Sequence, residues 1–440
     1  MAALTEWSTD ERAGMQSLEK EVLRHLVALL KIDTSNPGPQ EAAAAAYVSE
    51  ILEGLGAVPE MLEPEPGRCS VVARWPGRDP SLPALVVHGH LDVVPADPAG
   101  WTRDPFGGEI ADGLVWGRGA VDMKATVAMV LAVLGAFARG SHAPRRELVL
   151  AFFADEEMGS RLGSGWAVEN RPELFAGATE AIGEIGGFTM TLPGGRRVYP
   201  LQIAERGMLW GRITVEGPGG HAAFSSVSNP VERIAKLVER VQNLGVPTPV
   251  EDLQAMAQRL GVTNGNGAKD REEALAALGP LGTLVAKAGA TTFVPTVLEA
   301  GSKLNVIPDS ASLGVDCRFL PGDDEKTLTA LRSAMDPDMS LEILSRTPGA
   351  CAPGTGPIVD ACSAAIHAAD PTGTIVPYTL PASTDGQHLA RLGIAPYGFA
   401  PLILSSDLDL LSLFHARDER VPVSAVEEGC RVLLDFLTSY

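Results

Sequence analysis

The sequence predicts an α/β fold that carries a second, α+β domain as an insertion. Three observations lead there: strand-length apolar runs alternate with helical stripes in the first third, the middle changes its element order, and helix and strand patterns resume towards Tyr440. Residues 15–31 place Leu18, Val22, Leu26 and Leu29 at helical spacing and end at the turn-forming DTSNPGP. A second stripe of Tyr47, Val48, Ile51, Leu52 and Leu55 stops at Gly56. The runs SVVARW, ALVVHGHLDVV and ELVLAFFA have strand length, with a helical segment from Lys124 to Arg139 between the last two. Such alternation implies a sheet with helices on its faces, whose sites lie in the loops at the strand ends.

From Gly207 the order is strand (MLWGRITVEG), helix (NPVERIAKLVERVQNL), strand (TTFVPTVLEAG), strand (SLGVDCRFLPG), helix (DEKTLTALRSAM) and strand (SLEILSR). That is βαββαβ, the ferredoxin-like split pattern, and it can stand as a separate domain over 207–347. Residues 251–290 read as a helical elaboration within it, with a turn at NGNG. After the linker TPGACAPGTGP the chain returns to the first sheet, so 1–206 and 348–440 form one discontinuous domain.

At 440 residues, 45% hydrophobic and 20% charged, the chain has the composition of a soluble globular protein with more than one structural unit. No apolar run reaches the roughly eighteen residues of a membrane span. MAALTEWSTDERAGMQ lacks a basic start, an apolar stretch and a small-residue cleavage site, so the expectation is a cytoplasmic protein without a secretory signal. A formal charge of -20 argues against nucleic acid as a partner, because phosphates require a basic footprint. The five cysteines are scattered without a C-x-x-C pair, which argues against a thiolate zinc cluster and a disulfide framework. A bound metal would have to be held by His, Asp and Glu.

His90 and Asp92 lie two apart at the end of an apolar strand and point to one face. A metal-ligating His commonly hands its other ring nitrogen to a carboxylate, which suits H-x-D, although a lone H-x-D is more often packing. His88 shares that face as a packing or outer residue. Asp122, in GRGAVDMK ahead of a helix, taken alone reads as an N-cap. Glu156 and Glu157 follow ELVLAFFA, and Glu184 ends EAIGE with Gly186 and Gly187 behind it; His415 stands far downstream in LFHARDERV. Each of these sits at the end of an expected element. Carboxylates with imidazole suit zinc, cobalt or manganese, and the surplus of carboxylates over the needs of one ion points to two ions about 3.5–4 Å apart, with one carboxylate left to act as base.

In this order, GHLDVVP, GRGAVDMK, ADEEMGS, IGEIGG, GHAA followed by NP, LNVIP and FHARDERV resemble the aminoacylase and carboxypeptidase family of dinuclear zinc hydrolases, metallopeptidase family 20, along nearly the whole chain. The resemblance implies a zinc-exopeptidase-like catalytic domain, with a central mixed sheet flanked by helices, and an inserted lid and dimerisation domain. It implies two Zn2+ per chain, with Co2+ or Mn2+ as substitutes. Asp122 would bridge the ions, His90 and Glu184 would complete one, and Glu157 and His415 the other. Asp92 would orient His90. Glu156 would be the general base, taking a proton from the water held between the metals and passing it to the leaving amine. The peptide bond after Asp122 would be cis. In the lid, His221 would stabilise the oxyanion, in dimeric members across the subunit boundary, while Asn305 and Arg318 would hold the substrate carboxylate. Gly301, Thr384 and Asp385 would line the same pocket.

Ala416, Ile185 and Glu205-Arg206-Gly207 depart from the family pattern without touching a proposed ligand; they bear on the substrate. Relatives that act on free amino termini tend to carry Asp where this chain has Glu184. The expectation is therefore an N-acyl-amino-acid amidohydrolase or a carboxypeptidase-type peptidase, acting on a small N-acyl amino acid or short peptide. A dipeptidase of the same family and a non-catalytic metal-binding relative are the alternatives.

Overall fold

Leu148–Phe153 is apolar and buried at every position, which a strand shows only when both faces of its sheet are covered. Val149, Ala151 and Phe153 pack with Val86 and Ala181 of the neighbouring strands against Ala167, Val168 and Leu389. On the opposite face Gly89 lies against Met123 and Val127, at the start of the buried helix Lys124–Ala138. The strands run in the spatial order Glu60–Glu65, Arg68–Trp75, Leu148–Phe153, Ala84–His90, Ala178–Gly183, Ala395–Gly398 and Arg197–Glu205. From Leu148–Phe153 to Ala395–Gly398 the pairings are parallel, and those outside them are antiparallel, so the sheet is mixed. This is the α/β architecture that the alternating pattern implied.

The structure, a computed structural model, describes residues 9–38, 40–140, 142–224, 228–263 and 268–440. The expected NGNG turn at 264–267 and the first eight residues of the segment examined for a leader lie outside them. The chain divides into two compact units: Met1–Ile203 with Ala352–Pro377 and Thr384–Tyr440, and Ala204–Cys351 with Tyr378–Ser383. The pattern of the sequence assigns Tyr378–Ser383, as part of 348–440, to the first domain. That segment groups with the second unit, within which Arg206 donates to the carbonyls of Pro381 and Ala290.

The second unit is built on four antiparallel strands in the order Thr292–Ala300, Ser310–Phe319, Gly207–Glu216 and Ser340–Thr347. In chain order this is 2-3-1-4, which together with helices Pro230–Gln242 and Asp324–Ser333 is the ferredoxin-like arrangement. Leu209, Ile213 and Val215 point one way from their strand, to meet Ile234, Leu237 and Val241 at helical spacing. The elaboration at 251–290 forms helices Val250–Arg259, Arg271–Leu278 and Pro280–Ala288.

Candidate metal centre

Three neighbouring parallel strands end at one edge of the first unit's sheet. His90 closes Ala84–His90, Glu156 and Glu157 follow Leu148–Phe153, and Glu184 follows Ala178–Gly183. Gly183 is required by a close approach: a Cβ there would lie 2.2 Å from the ring of His88. His88 is thus a packing residue, its imidazole pushed down to about 3 by burial and by His90. Asp122 stands two residues before Lys124–Ala138, whose N-cap is Met123, and its carboxylate turns to the two histidines. His415 precedes the strand Arg420–Pro422, whose pairing with Leu114–Trp116 brings the loops at 118–122 and 415–419 together. The Asp122–Met123 peptide bond is cis.

The Asp122 carboxylate joins the two histidines. Its Oδ1 lies 3.0 Å from His90 Nε2, and its Oδ2 lies 3.1 Å from His415 Nε2. His90 Nε2 is also 3.5 Å from Glu184 Oε2, and His415 Nε2 is 3.1 Å from Glu157 Oε2. Two donor groups therefore share one bridging aspartate. Donor atoms of His90, Glu156 and Glu184, and those of His90, Asp122 and Glu157, lie within 4.8 Å of one another in each set.

Charge in this pocket is out of balance. Burial raises Glu156 well above the usual carboxylate range, and the Glu184, Asp385 and Glu157 carboxylates add to it against the opposing charge of His90. Burial likewise pushes Glu184 up to about 8. Hydrogen bonds to Asp122 and Glu157 push His415 up to about 10. Glu184 Oε1 is buried with no hydrogen-bond partner. Packed carboxylates of this kind favour a multivalent cation, and oxygen ligands with imidazole fit zinc, cobalt or manganese. The residues present fit two such ions.

Asp92 meets His90 through its main chain rather than its carboxylate. His90 Nδ1 lies 2.9 Å from the main-chain carbonyl of Asp92, while the nearest carboxylate oxygen is 3.6 Å away. Donation to that carbonyl fixes the tautomer that leaves Nε2 bare for an ion. The Asp92 carboxylate instead accepts the backbone N–H groups of Glu156 (3.1 Å) and Glu157 (3.0 Å). One residue thus locks the His90 ring and the turn carrying both glutamates. Asp155, Ile185 and His415 all hold left-handed backbone (φ 69, 56 and 56), a conformation L-residues rarely adopt, and each is at or beside a ligand position.

His221, Asn305 and Arg318 belong to the second unit. His221 is exposed, on a short strand opposite Val306, and Ala222 N–H donates to the carbonyl of Asn305, which is also exposed. His221 Nδ1 accepts from Ala223 N–H, so the neutral ring carries its proton on Nε2. Arg318 is half-buried and gives its Nε and Nη2 edge to Asp316. Asp385, in the first unit, is buried with Oδ1 accepting from Ser164.

Sequence reasoning missed two groups of residues. Asn36, in DTSNPGP, donates to the Asp92 carboxylate and accepts from the buried Arg68. Glu419, in FHARDERV, lies buried beneath the Asp122 loop. Their signal was only proximity to quoted motifs. Partners that are backbone N–H groups leave no mark in a side-chain pattern.

The sequence profile of peptidase family M20/M25/M40 matches residues 86–439. Aminoacylase-1 of Sus scrofa is 27% identical over 422 residues, covering 93% of either chain. Succinyl-diaminopimelate desuccinylase of Cereibacter sphaeroides is 36% identical over 207 residues, 47% of this chain and 52% of that one. Among solved structures, the metallo-carboxypeptidase Sso-CP2 of Sulfolobus solfataricus matches with a TM-score of 0.71 at 19% identity, covering 95% of this chain and 98% of the other. Human carnosine dipeptidase 1 matches with a TM-score of 0.66 at 17% identity, covering 97% and 98%.

Proposed function

The chain belongs to peptidase family M20/M25/M40, whose members are metal-dependent amidohydrolases, and from that premise we propose that it cleaves an amide bond next to a free carboxylate, in an N-acyl amino acid or a short peptide. The observation that carries this reading is the Asp122 carboxylate, with one oxygen on His90 and the other on His415. His90 with Glu184 would hold one ion, and Glu157 with His415 the other. We take both ions to be zinc. When bound, they supply Lewis acidity, polarising the scissile carbonyl and bringing water's pKa to about 7.

Glu156 is the base. Its raised proton affinity suits a group that removes a proton from water and returns it to the leaving nitrogen. Asp92 holds the turn from which it works. His221 has the tautomer needed to donate from Nε2 to a developing oxyanion, and we assign Asn305 and Arg318 to the substrate carboxylate. We assign the protein a cytoplasmic location; among the described residues no helix is long and apolar enough to cross a membrane. A homodimer through the second unit accords with its edge strand Thr292–Ala300, on which Val294, Val297 and Leu298 are exposed.

The test is metal content joined to an activity panel. Purified protein, with and without chelator, is given N-acyl amino acids, C-terminally blocked peptides and free dipeptides. About two ions per chain and chelator-sensitive cleavage only beside a free carboxylate support the reading. Absence of cleavage after zinc or cobalt is added back would overturn it, and cleavage confined to free dipeptides would move the protein to the dipeptidase branch.

A further inference from the structure

Glu419 is completely buried, and a buried carboxylate is costly unless its lone pairs are filled. Here they are. Oε1 accepts the N–H groups of Val121 (2.7 Å) and Asp122 (3.1 Å); Oε2 accepts Gly119 N–H (3.0 Å) and Arg118 Nη1 (2.7 Å). Three closely spaced backbone N–H groups turned to one point form an anion-binding hollow, and this chain fills the hollow with its own side chain. Gly119 makes that turn possible, because its φ is +90 and a Cβ there would lie 2.9 Å from Val93.

The same contacts run to the opposite loop. Arg118 Nη2 donates to the carbonyl of His415 at 3.3 Å, and Gly117 N–H donates to the carbonyl of Glu419 at 3.0 Å. Glu419 lies four residues after His415 in the chain. Asp122 and His415 are 293 residues apart in sequence, yet one carboxylate grips the backbone of the first, and its arginine partner grips the backbone of the second. His415 needs such a hold, since it sits half-exposed in left-handed backbone. His90 needs none of it: it closes a strand of the central sheet and is locked by Asp92.

We propose that Glu419 is a positioning residue that sets the spacing between Asp122 and His415, so that its loss weakens the ion held on the His415 side and spares the one held by His90 and Glu184. This rests on the two-ion reading above. Glutamine at 419 fits the same space but turns an NH2 towards N–H donors, which leaves two of the four donors unmatched.

The experiment is a Co2+ titration of chelator-treated protein, followed by the cobalt absorption bands and by calorimetry. Wild type takes up two equivalents in sequence, and His415→Ala identifies the equivalent belonging to that side. In Glu419→Gln the same equivalent weakens about 10–100-fold, the range that partners of metal ligands typically control, while the other stays within about threefold. Because Glu419→Gln leaves Arg118 buried and unpaired, Glu419→Gln/Arg118→Met is measured beside it. It recovers thermal stability without recovering the ion. Glu180→Gln, which breaks the ion pair of Arg146 away from the ligands, lowers stability and moves neither equivalent. If wild type takes up two ions and Glu419→Gln binds both unchanged, or loses both equally, or if the double variant regains the ion along with its stability, the positioning role is wrong. If wild type itself takes up fewer than two, the two-ion reading fails instead.

Discussion

The two histidines that face Asp122 are held by different means. The His90 side chain is fully buried at the end of a strand, whereas the His415 side chain is 51% exposed on a loop. The first is fixed by the sheet and by a carbonyl two residues away. The second depends on a pairing between loops that the chain closes only near its end. The proposed dinuclear site would thus have one end as rigid as the core and another whose geometry rests on a few hydrogen bonds. The difference predicts that perturbations separate the two ends.

The largest expected effect falls on the buried end. Glu156→Gln keeps the shape and removes the base, so kcat should drop about 10²–10⁴-fold while both ions remain bound. Steady-state kinetics with metal analysis checks this, and retained turnover would remove Glu156 from the mechanism. Next comes Asp92→Asn, which sets an amide NH2 against the N–H of Glu156 or Glu157. Activity should fall about 10–100-fold, with the loss mainly in kcat.

Stability should divide the histidines directly. In metal-free protein, His90→Ala leaves Asp122 and Glu184 buried without their imidazole and should cost about 1–3 kcal/mol in urea unfolding. His415→Ala frees the same aspartate from an exposed partner and should cost less than His90→Ala, because solvent screens that contact. Equal losses would break the comparison.

The smallest effect sets the pH baseline for such measurements. His25, buried and bonded through Nδ1 to the hydroxyl of Tyr47, is pushed down to about 4 by burial and then by Arg24. Its folded value lies below the unfolded one of about 6.5. Its contribution is therefore complete above that pH and is lost as pH falls towards 4, amounting to about 1–2 kcal/mol at pH 5. Unfolding midpoints of wild type and His25→Phe at pH 7 and pH 5 should show the variant with the shallower decline.

Much of this was legible in the sequence because strand ends are. The uniformly apolar LVLAFFA announced a strand covered on both faces, and a site at its carboxyl end follows from parallel topology. His90, Glu156, Glu157 and Glu184 could therefore be named from position alone as residues that reach one edge. His415 could be named only by its motif, because nothing local to an irregular loop says what it meets. The carbonyl of Asp92 and the grip of Glu419 were hidden for a related reason: their partners are main-chain groups, identical at every residue. The grouping of 378–383 with the second unit also escaped, since the carbonyl that Arg206 reaches there lies 175 residues further on.

The central claim is that Asp122 bridges two ions, and anomalous diffraction at the zinc edge from zinc-loaded crystals tests it most directly. Two peaks about 3.5–4 Å apart are predicted, each about 2.0–2.2 Å from one Asp122 oxygen, one beside His90 and the other beside His415. A single peak, or two that do not share Asp122, would contradict the account.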